Sequence, residues 1–170
     1  MINALVVGGD SKLGRALCER LSARGHDVVR TSRRLVSSAP GWVYLDMLDP
    51  KLPHSDKMVT VYIMAAITGV VPAESHPDAW RVNAEAPVAI ALAASKHGWR
   101  TVFMSSGTVE RAQHTASAAQ KRYVEAIVHA LGGCVVRPLP TVPAEKYDEV
   151  ADLLVDVGEQ QRTGVVRWEG

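Results

Sequence analysis

With 170 residues, 47% of them hydrophobic, the chain is one domain of ordinary size, long enough to bury a substantial core. Its net charge of +1 gives no case for a nucleic-acid or anionic-membrane partner. No apolar run is long enough to span a bilayer, and the chain enters a strand-like segment with no signal-peptide pattern, so a cytoplasmic setting is expected.

Asn3 to Arg34 is the stretch around which the rest is organised. Ala4 to Val7 is an apolar run of strand length that breaks at Gly8-Gly9, where a chain can turn tightly and approach a ligand with its backbone. A helix signature follows, with Leu13, Ala16, Leu17 and Leu21 at helical spacing, and Gly25 ends it. His26 to Thr31 reads as a second strand. A β-turn-α-β unit of this kind aims unpaired N–H groups and a helix dipole at an anion, so Gly8, Gly9, Leu13 and Gly14 are candidates for holding a dinucleotide. Ser11 can either cap the helix or bond a phosphate. The second strand ends in Thr31-Ser32-Arg33-Arg34, without the acidic residue that would take a ribose 2′-OH. Two guanidiniums and a hydroxyl suit a 2′-phosphate, so NADP is expected over NAD; Arg30 stands nearby.

Residues 35 to 41 read as a Ser/Pro/Gly loop, and Trp42 to Leu45 as a short strand before Asp46-Met47-Leu48-Asp49-Pro50, where Asp49 suits a turn or a helix cap. Met58 to Ile67 is too continuously apolar for a half-exposed strand and suits a central parallel one. Pro77 to His97 predicts a helix apolar nearly all round, with Asn83 as a costly polar exception unless bonded. Thr101 to Met104 is the next strand, delivering Ser105-Ser106-Gly107 to its C-terminal end, where open α/β sheets bind ligands. A helix near 115–131 and a strand at Cys134–Arg137 follow. Then come three prolines, Pro138, Pro140 and Pro143, a helix over Tyr147–Val157, and a last strand over Gly164–Trp168. The expected fold is a doubly wound, mainly parallel sheet of about six or seven strands with helices on both faces. Cys18 and Cys134 read as small core residues of a protein kept in a reducing compartment, and six scattered histidines offer no metal-ligand spacing.

These residues resemble the extended short-chain dehydrogenase/reductase family over almost the whole chain. Gly8, Gly9 and Gly14 match the outer part of its G-x-x-G-x-x-G fingerprint, with Ser11 where the central Gly belongs. The resemblance implies that Asp46 contacts the adenine amino group and that Ala65 and Ala66 let the cofactor lie against a strand end. It also implies that Asn83 helps hold the active-site geometry and that Ser106, with Ser105 as its neighbour, bonds a substrate carbonyl or hydroxyl. Lys121 falls on the Lys of the family's Y-x-x-x-K, the residue that holds the nicotinamide ribose. Among family members the cofactor motifs are most similar to those of sugar-nucleotide reductases such as the dTDP-4-dehydrorhamnose reductases.

Two departures shape the functional expectation. The Tyr of Y-x-x-x-K is Ser117 here, and an aliphatic hydroxyl is a poor proton donor near neutral pH. His114 lies seven residues before Lys121, on the same face if the helix starts early, and its imidazole suits acid/base work. The substrate lobe that follows Arg137-Pro138 in the family is reduced to a linker near 138–145. The expectation is an atypical NADP(H)-dependent oxidoreductase on a small carbonyl or sugar-related substrate, with Ser106, Lys121 and His114 at the catalytic end. The alternative is a non-catalytic nucleotide-binding sensor or partner subunit. In either case a homodimer through the helices near 77–97 and 115–131 is expected, since both carry more apolar surface than one sheet can cover.

Overall fold

Seven parallel strands form one sheet in the order β3-β2-β1-β4-β5-β6-β7 in the computed structural model, which describes residues 3–34, 40–68, 70–111 and 114–170. The strands are β1 (Asn3–Val7), β2 (Asp27–Ser32), β3 (Trp42–Tyr44), β4 (Val59–Ile63), β5 (Arg100–Met104), β6 (Cys134–Arg137) and β7 (Gly164–Arg167). The expected doubly wound sheet is therefore present, and all of its pairings are parallel.

Alternation along the strands builds two cores. Leu5, Val7, Val61, Ile63, Phe103 and Val135 face one side, where α3 (Ala86–Lys96) and α5 (Ala116–Ala130) cover them. Ala4, Val6, Tyr62, Val102, Cys134 and Val136 face the other, covered by α1 (Lys12–Ala23) and α6 (Tyr147–Glu159). Both free cysteines are buried in this second core, Cys18 on α1 and Cys134 on β6, and burial pushes both thiols up. Arg24 on α1 bonds Asp152, Asp156 and Glu159 of α6, tying the two helices along their exposed seam.

Several boundaries differ from the expected ones. β4 stops at Ile63 rather than running to Ile67: Met64 N–H still donates to Val7 O at 2.9 Å, and at Ile67 the Asn83 side chain bonds both the backbone N–H and C=O. The helix expected from Pro77 is helical from Ala79, and it opens into a π-turn over Arg81–Glu85 before α3 begins. That wide turn directly precedes Pro87, which has no N–H to give the i−4 carbonyl. Two short helices lay outside the expectation: α2 (Val70–Ser75) and α4 (Thr108–Arg111). Residues 35–39 of the Ser/Pro/Gly loop lie outside the described residues. No helix among the described residues is long and apolar enough to cross a membrane.

Candidate functional site

The strand order reverses between β1 and β4, and a cavity of about 870 Å³ opens over the strand C-termini at that point. Its near end is the turn from β1 into α1. Gly8 has φ +83 and lies so close to Ala65 that an added Cβ would sit 2.8 Å from the Ala65 nitrogen. On Gly14 a Cβ would sit 2.3 Å from the Gly8 carbonyl oxygen, so both glycines are fixed by close backbone approach. Ser11 is the helix N-cap: its Oγ accepts from Gly14 N–H at 3.1 Å and donates to Gly8 O at 2.9 Å. Of the two roles open to Ser11, the structure shows the cap. The Lys12 and Leu13 N–H groups remain at the helix start with no intrahelical acceptor, facing the groove.

Past this turn, Ser32, Arg33, Arg34 and Asp46 line the groove. Arg33 and Arg34 are exposed and have no ion-pair partner among the described residues. The Ser32 hydroxyl donates to Asp10 Oδ2 at 2.8 Å and accepts from Arg34 N–H at 3.0 Å. Asp10 was not singled out in the sequence, yet its place in the glycine turn puts a carboxylate at the end of β2. Asp46 Oδ1 accepts from Leu48 N–H at 2.9 Å, which fixes its own turn and leaves Oδ2 for the groove. Ala65 and Ala66 form the floor beyond β4.

At the far end stand Ser106, Ser117 and Lys121. Ser106 Oγ accepts from Thr108 N–H at 3.2 Å and bonds Thr108 Oγ1 at 3.1 Å. Its neighbour Ser105 points into the protein and donates to Glu125 Oε1. Glu125 is held in turn by Arg137, through Nε at 2.9 Å and Nη2 at 2.5 Å, and Arg137 continues to Glu110 at 2.7 Å. Arg167 and Arg137 together hold the Glu110 carboxyl below its usual range. Lys121 sits one helical turn before Glu125, and that carboxylate is committed to Arg137 and Ser105. The Lys121 ammonium donates to Met104 O at 3.3 Å and lies 5.2 Å from the Phe103 ring centroid. Desolvation pushes it down to about 8, against the opposing charge of Glu125.

Four candidate residues do not line this groove. Gly9 faces the other way: its N–H donates to Thr31 O at 3.0 Å, and a Cβ would meet Arg30. Gly14 lies buried beneath the turn it packs against. Asn83 is one layer behind, bonding Ile67 and donating to Gln120 Oε1 at 2.9 Å. His114 is exposed and precedes the Thr115 N-cap, so α5 does not carry it towards Lys121. Conversely, His76, Asp78 and Tyr147 line the groove without having been expected there. Tyr147 arrives because the proline linker crosses the strand ends, placing Pro138 to Val142 along the wall.

The family model described as the NAD dependent epimerase/dehydratase family matches residues 4–149. A hypothetical dTDP-4-dehydrorhamnose reductase from Sulfolobus tokodaii superposes with a TM-score of 0.78 at 17% identity, covering 99% of this chain and 77% of that one. The dTDP-4-dehydrorhamnose reductase of Bacillus anthracis, solved with NADP, gives 0.71 at 18% identity, covering 100% and 75%. Bordetella bronchiseptica WbmH, solved with NAD+, gives 0.74 at 15% identity, covering 99% and 76%. At such identities the likeness is one of fold. No curated protein matches the sequence. The family match spans most of the chain, from β1 to the start of α6: the chain belongs to the NAD dependent epimerase/dehydratase family.

Proposed function

We propose that the chain is a cytoplasmic NADP(H)-dependent reductase of small carbonyl compounds, working as a homodimer. One observation carries this reading: a single groove joins the glycine turn and unpaired N–H groups of α1 to Ser106 and Lys121 at the end of β5. The backbone at Gly8 and the α1 N-terminus fit a pyrophosphate, and Ala65 and Ala66 leave room for a flat ring system above the sheet. Arg33 and Arg34 would hold a 2′-phosphate. Asp10, the acid at this end, accepts from the Ser32 hydroxyl through Oδ2. Lys121 would take the nicotinamide ribose, and Ser106 a carbonyl oxygen. A nicotinamide cofactor supplies the hydride when bound. The Bacillus anthracis and Bordetella bronchiseptica structures were solved with NADP and NAD+, so both cofactors occur among proteins of this fold.

The short linker of residues 138–145 would serve in place of a substrate lobe, which favours small substrates over sugar nucleotides. A second reading, a nucleotide-binding subunit without catalysis, is favoured by Ser117, whose hydroxyl is a poor proton donor. Loss of reduced-nicotinamide absorbance, followed with small aldehydes and ketones and with a sugar-nucleotide ketone, separates the two. The reductase reading expects slow turnover of small carbonyls and little or none of the sugar nucleotide. NADPH binding with no turnover of any carbonyl favours the second reading, and ordinary enzyme rates on the sugar nucleotide overturn the small-substrate assignment.

A further inference from the structure

Lys121 is a buried-side amine that no carboxylate neutralises. Among the described residues no acidic group lies within ion-pairing distance of it, since Glu125 on the next turn is taken by Arg137 and Ser105. Its hydrogen-bond acceptor among the described residues is the Met104 carbonyl, two residues before Ser106 on the same strand end. Ser117, one turn earlier on α5, lines the same groove with a side chain too short to stand between the amine and a ligand. An ammonium so placed, bonded to a neutral carbonyl rather than to a carboxylate, has a proton to give into the groove.

We infer that Lys121 is itself the proton donor to the carbonyl oxygen, with Ser106 polarising that oxygen. This deepens the reductase reading and rests on it. The carbonyl carbon accepts a hydride from the reduced nicotinamide, and the C=O π pair becomes an O–H bond as the Lys121 N–H bond breaks. The products are an alcohol, the oxidised nicotinamide and a neutral Lys121 amine, which takes its proton back from water. Ser106 is suited to its part because Thr108 already donates to its oxygen from the backbone, leaving the hydroxyl proton for the substrate. The ammonium's lowered proton affinity, to about 8, matches a group that must release and recover a proton near neutrality. Glu125, on the same helix and held by Arg137 of β6, is the charged group that acts on Lys121; His76, Asp78 and Tyr147 line the same groove, with Asp46, Arg33 and Arg34 towards its other end.

Two measurements test the inference. In the free protein, trace acylation of Lys121 followed by peptide mass spectrometry across pH is expected to titrate with a midpoint near 8. A midpoint at 10 or higher overturns the proposal without touching the cofactor reading. With saturating NADPH and a small aldehyde, kcat should be level at low pH and fall tenfold per pH unit above the apparent pKa of Lys121 in the complex. Lys121→Arg keeps the charge but cannot release a proton, and should lower kcat by at least about 100-fold. Arginine retaining more than half the rate, or a flat pH profile, makes Lys121 a positioning charge only. Turnover of no carbonyl in the presence of bound NADPH also overturns it, whereas failure of NADPH to bind removes the underlying reading instead.

Discussion

Asn83 holds both backbone polar groups of Ile67: the Ile67 N–H donates to Oδ1 at 2.7 Å, and Nδ2 donates to the Ile67 oxygen at 2.9 Å. A third bond, to Gln120, anchors the amide to α5. The chain between β4 and α2 is thereby fixed as one wall of the groove. Asn83→Leu leaves these part-buried groups and the buried Gln120 amide without their bonds to Asn83 and should cost about 1–3 kcal/mol, read from urea unfolding. Nucleotide affinity should fall as well, because Ala65 and Ala66 belong to the released segment. Wild-type stability together with wild-type affinity would remove the wall-holding role.

Glu125 and Arg137 form the nearly buried half of a chain that runs from Ser105 to Arg167. Their side chains are 8% and 16% exposed, so solvent screens them little. Glu125→Ala leaves the Arg137 guanidinium with Glu110 alone and Ser105 without its acceptor, and should destabilise by up to about 3 kcal/mol. A denaturation midpoint unchanged within error would mean that water already compensates the pair.

Lys121 gives a pH dependence whose sign is fixed. Its folded-state value is about 8 and its ordinary value 10.5, so the unfolded chain holds more protons between those limits. Burial of the ammonium costs stability in full below pH 8, and the cost is relieved as pH rises towards 10.5. Relative to Lys121→Met, the unmutated protein should gain as much as about 3 kcal/mol across that window. A constant difference would show that Lys121 is as well solvated as a surface lysine.

The alternating residues of β1, β4, β5 and β6, together with the glycine turn, make the sheet and the β1–α1 end of the groove legible in the sequence. Period, turn chemistry and capping are local properties, and Ser11, Gly14 and Gly25 state them within a few residues. What stayed hidden depends on contacts between distant segments. Asp10 meets Ser32 only once β1 and β2 lie side by side. Tyr147 reaches the groove only because the proline linker turns across the strand ends. Apolar character continues through Ile67, past the end of β4 at Ile63, whereas the backbone groups of Ile67 are bonded by Asn83 from a distant helix. His114 is the reverse case: its spacing from Lys121 suits a helix face, but α5 begins after it, at Ala116.

The Trp80 and Tyr123 rings meet at a tilt, 5.8 Å between centroids, although each is close to half exposed. Leu92 on α3 is exposed as well, so the face formed by α3 and α5 offers large apolar side chains to a partner. Sedimentation should give a dimer at micromolar concentration, and Trp80→Ser with Tyr123→Ser should shift it to monomer. A monomeric unmutated protein would end the homodimer assignment.

The central claim is that this groove is built for a phosphorylated dinucleotide, and a titration of the protein with NADPH and with NADH tests it most directly. Charge-assisted bonds from Arg33 and Arg34 are worth about 1.5–3 kcal/mol each at best and less for exposed side chains, so NADPH should bind at least about tenfold more tightly. Arg33→Ala with Arg34→Ala should erase that margin and leave NADH affinity within about twofold. Equal affinities in the unmutated protein, or a preference for NADH, would contradict the account.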